Sequence, residues 1–291
     1  MKWQTPHQKA KAEAATLRGR RGGGKSIEPG DVGIWVTCMK NKEGKATEEL
    51  KGLFEEYAEK IYGIVPASES STRGGHHDED EDEEDIEASI RRELTSLSDQ
   101  PIRPLQPVHL DVPCVLFFRT APPIVPVDFV RAICEDAARH PARRRCRFVN
   151  RLSPMAGMAR ATEKGLEEVG RRVLGEHFRL QGEGDRRDVT EAGNCSYAIR
   201  PTIRNHSTLK RDAVIKLVAN LVDPSHKVDL TKPDKTIVIE IYQTICGMAV
   251  LDSIWETHLK RFNLFEIYQS ASNTGSISRK ASESATQPNC G

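Results

Sequence analysis

Short runs rich in β-branched and aromatic residues alternate with runs of helical period along most of this chain. That interleaving limits the architecture more than any bulk property does. VGIWVTC at 32–38 reads as a strand. Between Thr47 and Tyr62, residues Leu50, Leu53, Phe54, Tyr57, Ala58 and Ile61 form one apolar stripe at helical spacing, with Thr47 placed to cap the start and Gly63 the end. Two strands follow around 105–110 and 112–119, and a helix begins near Pro126, a residue favoured at the first helical position. The order β-α-insert-β-β-α suits a small split βαβ domain, ferredoxin-like in outline, over residues 31–140.

A second domain is expected over 141–255. RRRCRFVNRL at 143–152 reads as a strand with Cys146, Phe148 and Leu152 on one face and Arg145, Arg147 and Arg151 on the other. A helix near 162–178 carries Leu166, Val169, Val173 and Leu174. YAIRPTIR at 197–204 alternates again, Tyr197, Ile199 and Ile203 opposite Arg200, Thr202 and Arg204, and Pro201 marks an edge position. The next helix buries Val214, Leu217, Val218 and Leu221, with Ser207 or Thr208 as its cap. TIVIEIY (236–242) and TICGMAV (244–250) are strands, and a short C-terminal element occupies 256–269. The expected class is therefore α/β (α+β).

The flanks and one insertion have a different composition. Residues 1–30 form a basic arm with seven Lys or Arg against Glu13 in the first 25 positions, and 270–291 form a Ser-rich tail that includes RKAS at 279–282. Residues 66–88 hold an acidic insert that includes His76, His77 and a near-continuous Asp/Glu run from Asp78. Such stretches cannot bury a core and are expected to be disordered. DIEASIRRELTSLSD, from Asp85, is expected to form a polar helix. Seven cysteines without a C-x-x-C spacing suggest free thiols in a reducing compartment and exclude a clustered zinc site. No run of about 18 apolar residues exists for a membrane helix, and the N-terminus lacks a signal-peptide core.

Two glycine motifs invite an enzymatic reading. GRRGGGKS, Gly19–Ser26, fits the phosphate-loop pattern at every fixed position, but a polar stretch precedes it and Pro29-Gly30 follows, where a strand and a helix are needed. RLQGEG, Arg179–Gly184, fits an acetyl-CoA loop yet follows a helix, so a surface turn is the expectation. No deaminase or Ser/His/Asp motif is present, so no catalytic residue and no cofactor is assigned.

Charge points elsewhere. Residues 143–235 hold twenty Lys or Arg and twelve Asp or Glu, a net +8, although the whole chain is only +1. The excess gathers at Arg143, Arg144, Arg145, Arg147 and Arg151, at Arg200 and Arg204, and at Lys210 and Arg211 in a first helical turn, where cations oppose the helix dipole. Arginine runs also occur on plain solvated faces. Cations at a helix start, however, fit phosphate, and nucleic-acid binding is the expected function.

HKVDLTKPDKTIVIEI, 226–241, resembles the signature of THUMP domains, the RNA-binding modules of tRNA-modifying enzymes. YAIRPTIRNHSTLKRDAVIKLVANLV, with its Arg204-Asn205-His206 turn, resembles the preceding unit, and FVNRLSPMAG, 148–157, the first strand and loop. VGIWVTC, KATEELKGLFEEY and VPCVLFFRT are similar to the N-terminal ferredoxin-like domain of the eukaryotic Tan1-type subgroup. The resemblance implies a non-catalytic adaptor. It would present serine and leucine tRNAs to a separate RNA cytidine acetyltransferase that makes N4-acetylcytidine in the D-arm. The implied compartment is the nucleus, chiefly the nucleolus, with the cytoplasm as alternative. Asn205, Lys227 and Lys232 join the expected RNA contacts, Asp229 is expected to bond loop amides, and Glu240 to pair with an arginine. All these cations are expected to converge on one continuous surface.

Overall fold

The computed structural model describes residues 26–64, 104–108, 110, 112–182 and 195–270. The basic arm before Ser26, the acidic insert, the polar helix after it, the Ser-rich tail and the end of the second glycine motif, Glu183–Gly184, lie outside the described residues.

The first sheet holds β1 (Gly33–Cys38), β2 (Leu105–Val108), β3 (Val115–Thr120) and β4 (Val149–Met155) in the order β2-β3-β1-β4, every neighbour antiparallel. With α1 (Glu43–Tyr62) and α2 (Pro126–Arg139) between strands, this is the complete ferredoxin-like βαββαβ arrangement. Its sixth element is the strand expected to open the second domain. Residues 143–148 are not strand, pairing starts at Val149, and β4 lies against β1 from Val149↔Cys38 to Met155↔Gly33. The apolar alternation of FVNRLSPM identifies a strand but not the sheet that receives it.

Local signals account for some helix ends. Gly63 closes α1 in the left-handed region, φ +67, which a glycine adopts without a Cβ clash. Thr47 is not the cap: α1 begins four residues earlier, and the Thr47 hydroxyl donates to Glu43 O inside the helix. Ile61 stays exposed while Leu50, Leu53, Phe54, Tyr57 and Ala58 are buried.

The second sheet has the order β5-β9-β8-β6-β7: β5 (Gly157–Arg160), β6 (Ser196–Arg204), β7 (Lys227–Val228), β8 (Lys235–Tyr242) and β9 (Ile245–Asp252). Two helices, α3 (Glu163–Leu174) and α4 (Arg211–Ala219), cover one face, where Ile237, Ile239, Ile241 and Tyr197 join Leu166, Val169, Val214 and Val218. The other face of the same strands presents Val238, Tyr242 and Leu251 to the first domain and to the C-terminal segment, which comprises α5 (Ile254–Thr257), a 3₁₀ turn (Lys260–Phe262) and a helix at 264–270. Pro201 lies beyond the reach of β7, which pairs only with Ser196 and Tyr197, so the edge placement holds.

A single residue, Ala156, separates β4 from β5, and a bend there carries this run of chain from the first sheet into the second. Gly30 N donates to Met158 O at 3.0 Å, which prolongs that run beside the entry to β1. A Cβ on Gly247 would sit 2.8 Å from the Met155 sulfur, so glycine lets this strand press against β9. Trp35 and Tyr242 complete the junction, ring centroids 5.3 Å apart.

Candidate nucleic-acid interface

β5, β6 and β8 share one direction, because β5 and β8 are both antiparallel to β9 and β6 is parallel to β8. Their carboxyl ends, Arg160, Arg204 and Tyr242, therefore lie along one margin of the sheet, and α3 and α4 both start there. Thr162 caps α3, its hydroxyl accepting from Gly165 N at 3.1 Å, and a Cβ at Gly165 would meet Arg160 O at 2.3 Å. After β6 the chain turns through Asn205 at φ +49. His206 stitches this turn to the next one: Nδ1 lies 2.6 Å from Gln243 O, and Nε2 accepts from Leu209 N at 2.8 Å. A carbonyl needs a donor and an amide needs an acceptor, so the ring carries its proton on Nδ1. These turns, with Ile27 and Pro29 opposite, enclose an open crevice of about 810 Å³.

The crevice margin is cationic. Lys210, not Ser207 or Thr208 as expected, is the N-cap residue of α4, and it supplies no side-chain cap. The first amides of α4 are thus left without a side-chain acceptor. Lys210 and Arg211 are exposed beside them, and Arg160 and Lys164 are exposed at the start of α3. Each cation at a helix N-terminus costs about 0.3–1 kcal/mol against the dipole. An incoming phosphate would use the free amides and both cations at once, which is how helix starts bind anions. Arg211 also donates from Nη1 to Pro201 O at 2.6 Å, which holds its stem in place.

Arg151, Arg200 and Arg204 lie in the seam between the second sheet and the first domain. Arg204 Nη1 is 3.0 Å from Glu240 Oε2, and Arg200 donates to Leu230 O at 3.0 Å and lies 3.7 Å from Glu256. Glu240 is buried between β4 and β6. Burial pushes its carboxyl above the usual carboxylate range, offset in part by Arg204, the Ser153 hydroxyl and Arg151. Strand alternation predicts these arginines on an outward face. That face of β6 instead looks toward Glu240 and Glu256, so carboxylates of the protein itself receive Arg200 and Arg204, whose side chains stay half-buried.

Arg143, Arg144, Arg145 and Arg147 sit on the first domain, before β4. Glu49 of α1 accepts from the Arg147 and Phe148 amides at 3.0 and 2.9 Å, and Arg145 pairs with Glu56. Lys227 and Lys232 stand at the other end of the second sheet, where Lys227 pairs with Ser196 at the start of β6. The nine residues of β6 put roughly 26 Å between that end and Arg204. The Asp229 carboxylate accepts from the Thr231 and Lys232 amides, at 2.7 and 3.0 Å, which holds it below the usual carboxylate range and fixes the loop as expected. The expected cations therefore divide into four groups and do not meet in one. The neutral Asn205 lines the crevice, and Lys210 and Arg211 lie just past its Ser207-Thr208 wall. Arg160 lines the crevice as well and Lys164 the hollow adjoining it, although the charge pattern of the sequence does not single them out. A strand ending in Arg160 directly before the Thr162 cap was the available signal.

The described residues offer little for covalent chemistry. Cys195 Sγ lies 3.5 Å from His226 Nδ1, the spacing of a nucleophilic pair. Yet Arg179 N donates to His226 Nε2 at 3.1 Å, which places the ring proton on Nδ1, facing Cys195 O at 3.2 Å. That nitrogen cannot take the thiol proton, and burial raises the thiol further. At the glycine motif starting at Arg179, the Arg179 and Gln181 amides are bonded internally, the latter to Leu221 O at 2.8 Å, so neither can cradle a pyrophosphate. Among the described residues no group of three His, Cys, Asp or Glu is placed to hold a metal, and no helix is long and apolar enough to cross a membrane.

The chain has relatives among known proteins. Residues 163–251, from α3 to β9, match the THUMP domain family. The chain is 31% identical over 262 residues to the tRNA acetyltransferase TAN1 of Saccharomyces cerevisiae, covering 84% of this chain and 87% of that protein. It is 30% identical over 252 residues to an uncharacterized protein of Schizosaccharomyces pombe, covering 86% and 80%. It is 28% identical over 264 residues to THUMP domain-containing protein 1 of Mus musculus, covering 88% and 70%.

Proposed function

Because this chain belongs to the family of THUMP-domain proteins that includes TAN1 and THUMP domain-containing protein 1, we propose that it is a tRNA-binding adaptor without catalysis of its own. It presents serine and leucine tRNAs to a separate RNA cytidine acetyltransferase for N4-acetylcytidine formation in the D-arm. The observation that carries this reading is the α4 start, with amides uncapped by any side chain, Lys210 and Arg211 beside them, Arg160 on the opposite wall of the crevice, and Lys164 in the hollow that adjoins it. That arrangement suits the phosphates of an RNA end, and the crevice suits its last bases. On the same reading the compartment is nuclear, chiefly nucleolar.

The name of the yeast relative favours a second reading, in which the chain transfers acetyl groups itself. The internally bonded amides at Arg179 and Gln181 and the His226 proton facing Cys195 O weigh against it. Mapping N4-acetylcytidine in tRNA from cells lacking this protein tests the proposal, with loss expected at serine and leucine tRNAs. The purified chain with acetyl-CoA, ATP and tRNA should leave cytidine unmodified until the acetyltransferase is added. Modification by the chain alone would establish the second reading.

A further inference from the structure

The arginine segment before β4 is built differently from a merely solvated run. Arg144 donates from Nε to Cys146 O at 3.1 Å and lies over the Phe265 ring at 5.3 Å. Arg147 and Lys45 both lie over Phe148, at 5.6 and 5.7 Å, and both rings remain partly exposed. The backbone beneath is pinned by Glu49 to α1. Cations held on aromatic faces lose little side-chain freedom on binding, and such pairs suit the stacked bases and phosphates of an unpaired or bulged RNA segment. With Arg143 and Arg145 the segment sets five cations against the carboxylates of Glu49 and Glu56.

Its distance from the crevice gives it meaning. The segment joins the amino end of β4, while the crevice opens at the carboxyl end of β5. The eleven steps from Val149 to Arg160 are extended on either side of a bend at Ala156 and span at most roughly 35 Å. No single RNA end fills both places, whereas two parts of one folded tRNA can.

We propose that Arg144 and Arg147, with Phe148 and Phe265, form a second RNA-binding surface that grips a part of the same tRNA remote from its acceptor end. This rests on the tRNA reading above. Two tethered contacts then raise affinity for whole tRNA beyond what the crevice alone provides.

The test compares R144A/R147A and K210A/R211A with the native chain on two RNAs, whole serine tRNA and a minihelix of its acceptor and T arms with the 3′ tail. The R144A/R147A protein is expected to lose about tenfold or more on whole tRNA while keeping native affinity for the minihelix. K210A/R211A is expected to lose affinity for both. Equal loss of R144A/R147A on both RNAs would make the segment part of one site, and unchanged binding to both would leave it a protein-facing or solvated surface; either result overturns the proposal. Unaltered thermal melting excludes a folding defect, and R144K/R147K, which keeps charge but not the guanidinium plane, is expected to restore only part of the loss. If the native chain bound neither RNA, the functional proposal itself would fail.

Discussion

β6 carries two arginines on one face, and directly after Leu209 the start of α4 carries another cation pair, yet the two sets have opposite fates. Arg200 and Arg204 lie at the seam, where Glu256 and Glu240 receive them. Lys210 and Arg211 stand at the open margin, with no carboxylate within ion-pair distance among the described residues and a helix start beneath them. The same residue types a few positions apart thus tie the second sheet to its own carboxylates and the C-terminal segment in one case and leave charge available to a ligand in the other. Whether an arginine serves fold or recognition here depends on what faces it, not on local charge density.

The largest expected effect probes the seam. Arg204→Ala leaves Glu240 buried without its nearest cation, a loss of roughly 2–4 kcal/mol that lowers Tm by about 5–10 °C. Affinity for RNA at temperatures where the protein stays folded should change little. A drop in affinity without a drop in Tm would erase the distinction between seam and margin. The companion Glu240→Gln sharpens it through pH. Burial raises the folded-state pKa of Glu240 above its unfolded value near 4.5. The native state therefore takes up the proton first, and this group's contribution to stability grows as pH falls through the window above 4.5 and is lost as pH rises. The stability of the native chain relative to E240Q, measured by urea unfolding, should increase from pH 7 toward pH 5.

A smaller effect is expected at the margin. Lys210→Ala with Arg211→Ala should weaken RNA binding about tenfold at physiological salt and reduce the slope of log affinity against log salt by roughly two, one for each phosphate left without its cation. Tm should move little, since removing a cation from a helix start offsets the missing Arg211 bond to Pro201 O. The smallest effect belongs to Lys227→Ala with Lys232→Ala. At the far end of the sheet, beyond the Debye length of about 8 Å, these should change affinity by less than about a factor of two. A larger loss there would mean that RNA runs along the whole of β6.

The amino-acid sequence by itself determined the elements and their class. The stripe of α1, Pro126 at the start of α2, the alternation of β6 and the apolar runs of β8 and β9 are local patterns, and local patterns are set by backbone sterics and side-chain spacing. It also determined the Asp229 turn and the Glu240 pairing, since a loop carboxylate and a buried one must each find partners. Only the tertiary structure decided that FVNRLSPM closes the first sheet, because strand alternation is identical whichever sheet supplies the hydrogen bonds. It alone decided that Arg151, Arg200 and Arg204 gather at the seam while Arg160 reaches the crevice. A strand has two faces and its sequence separates them, but which face meets another domain depends on residues far along the chain.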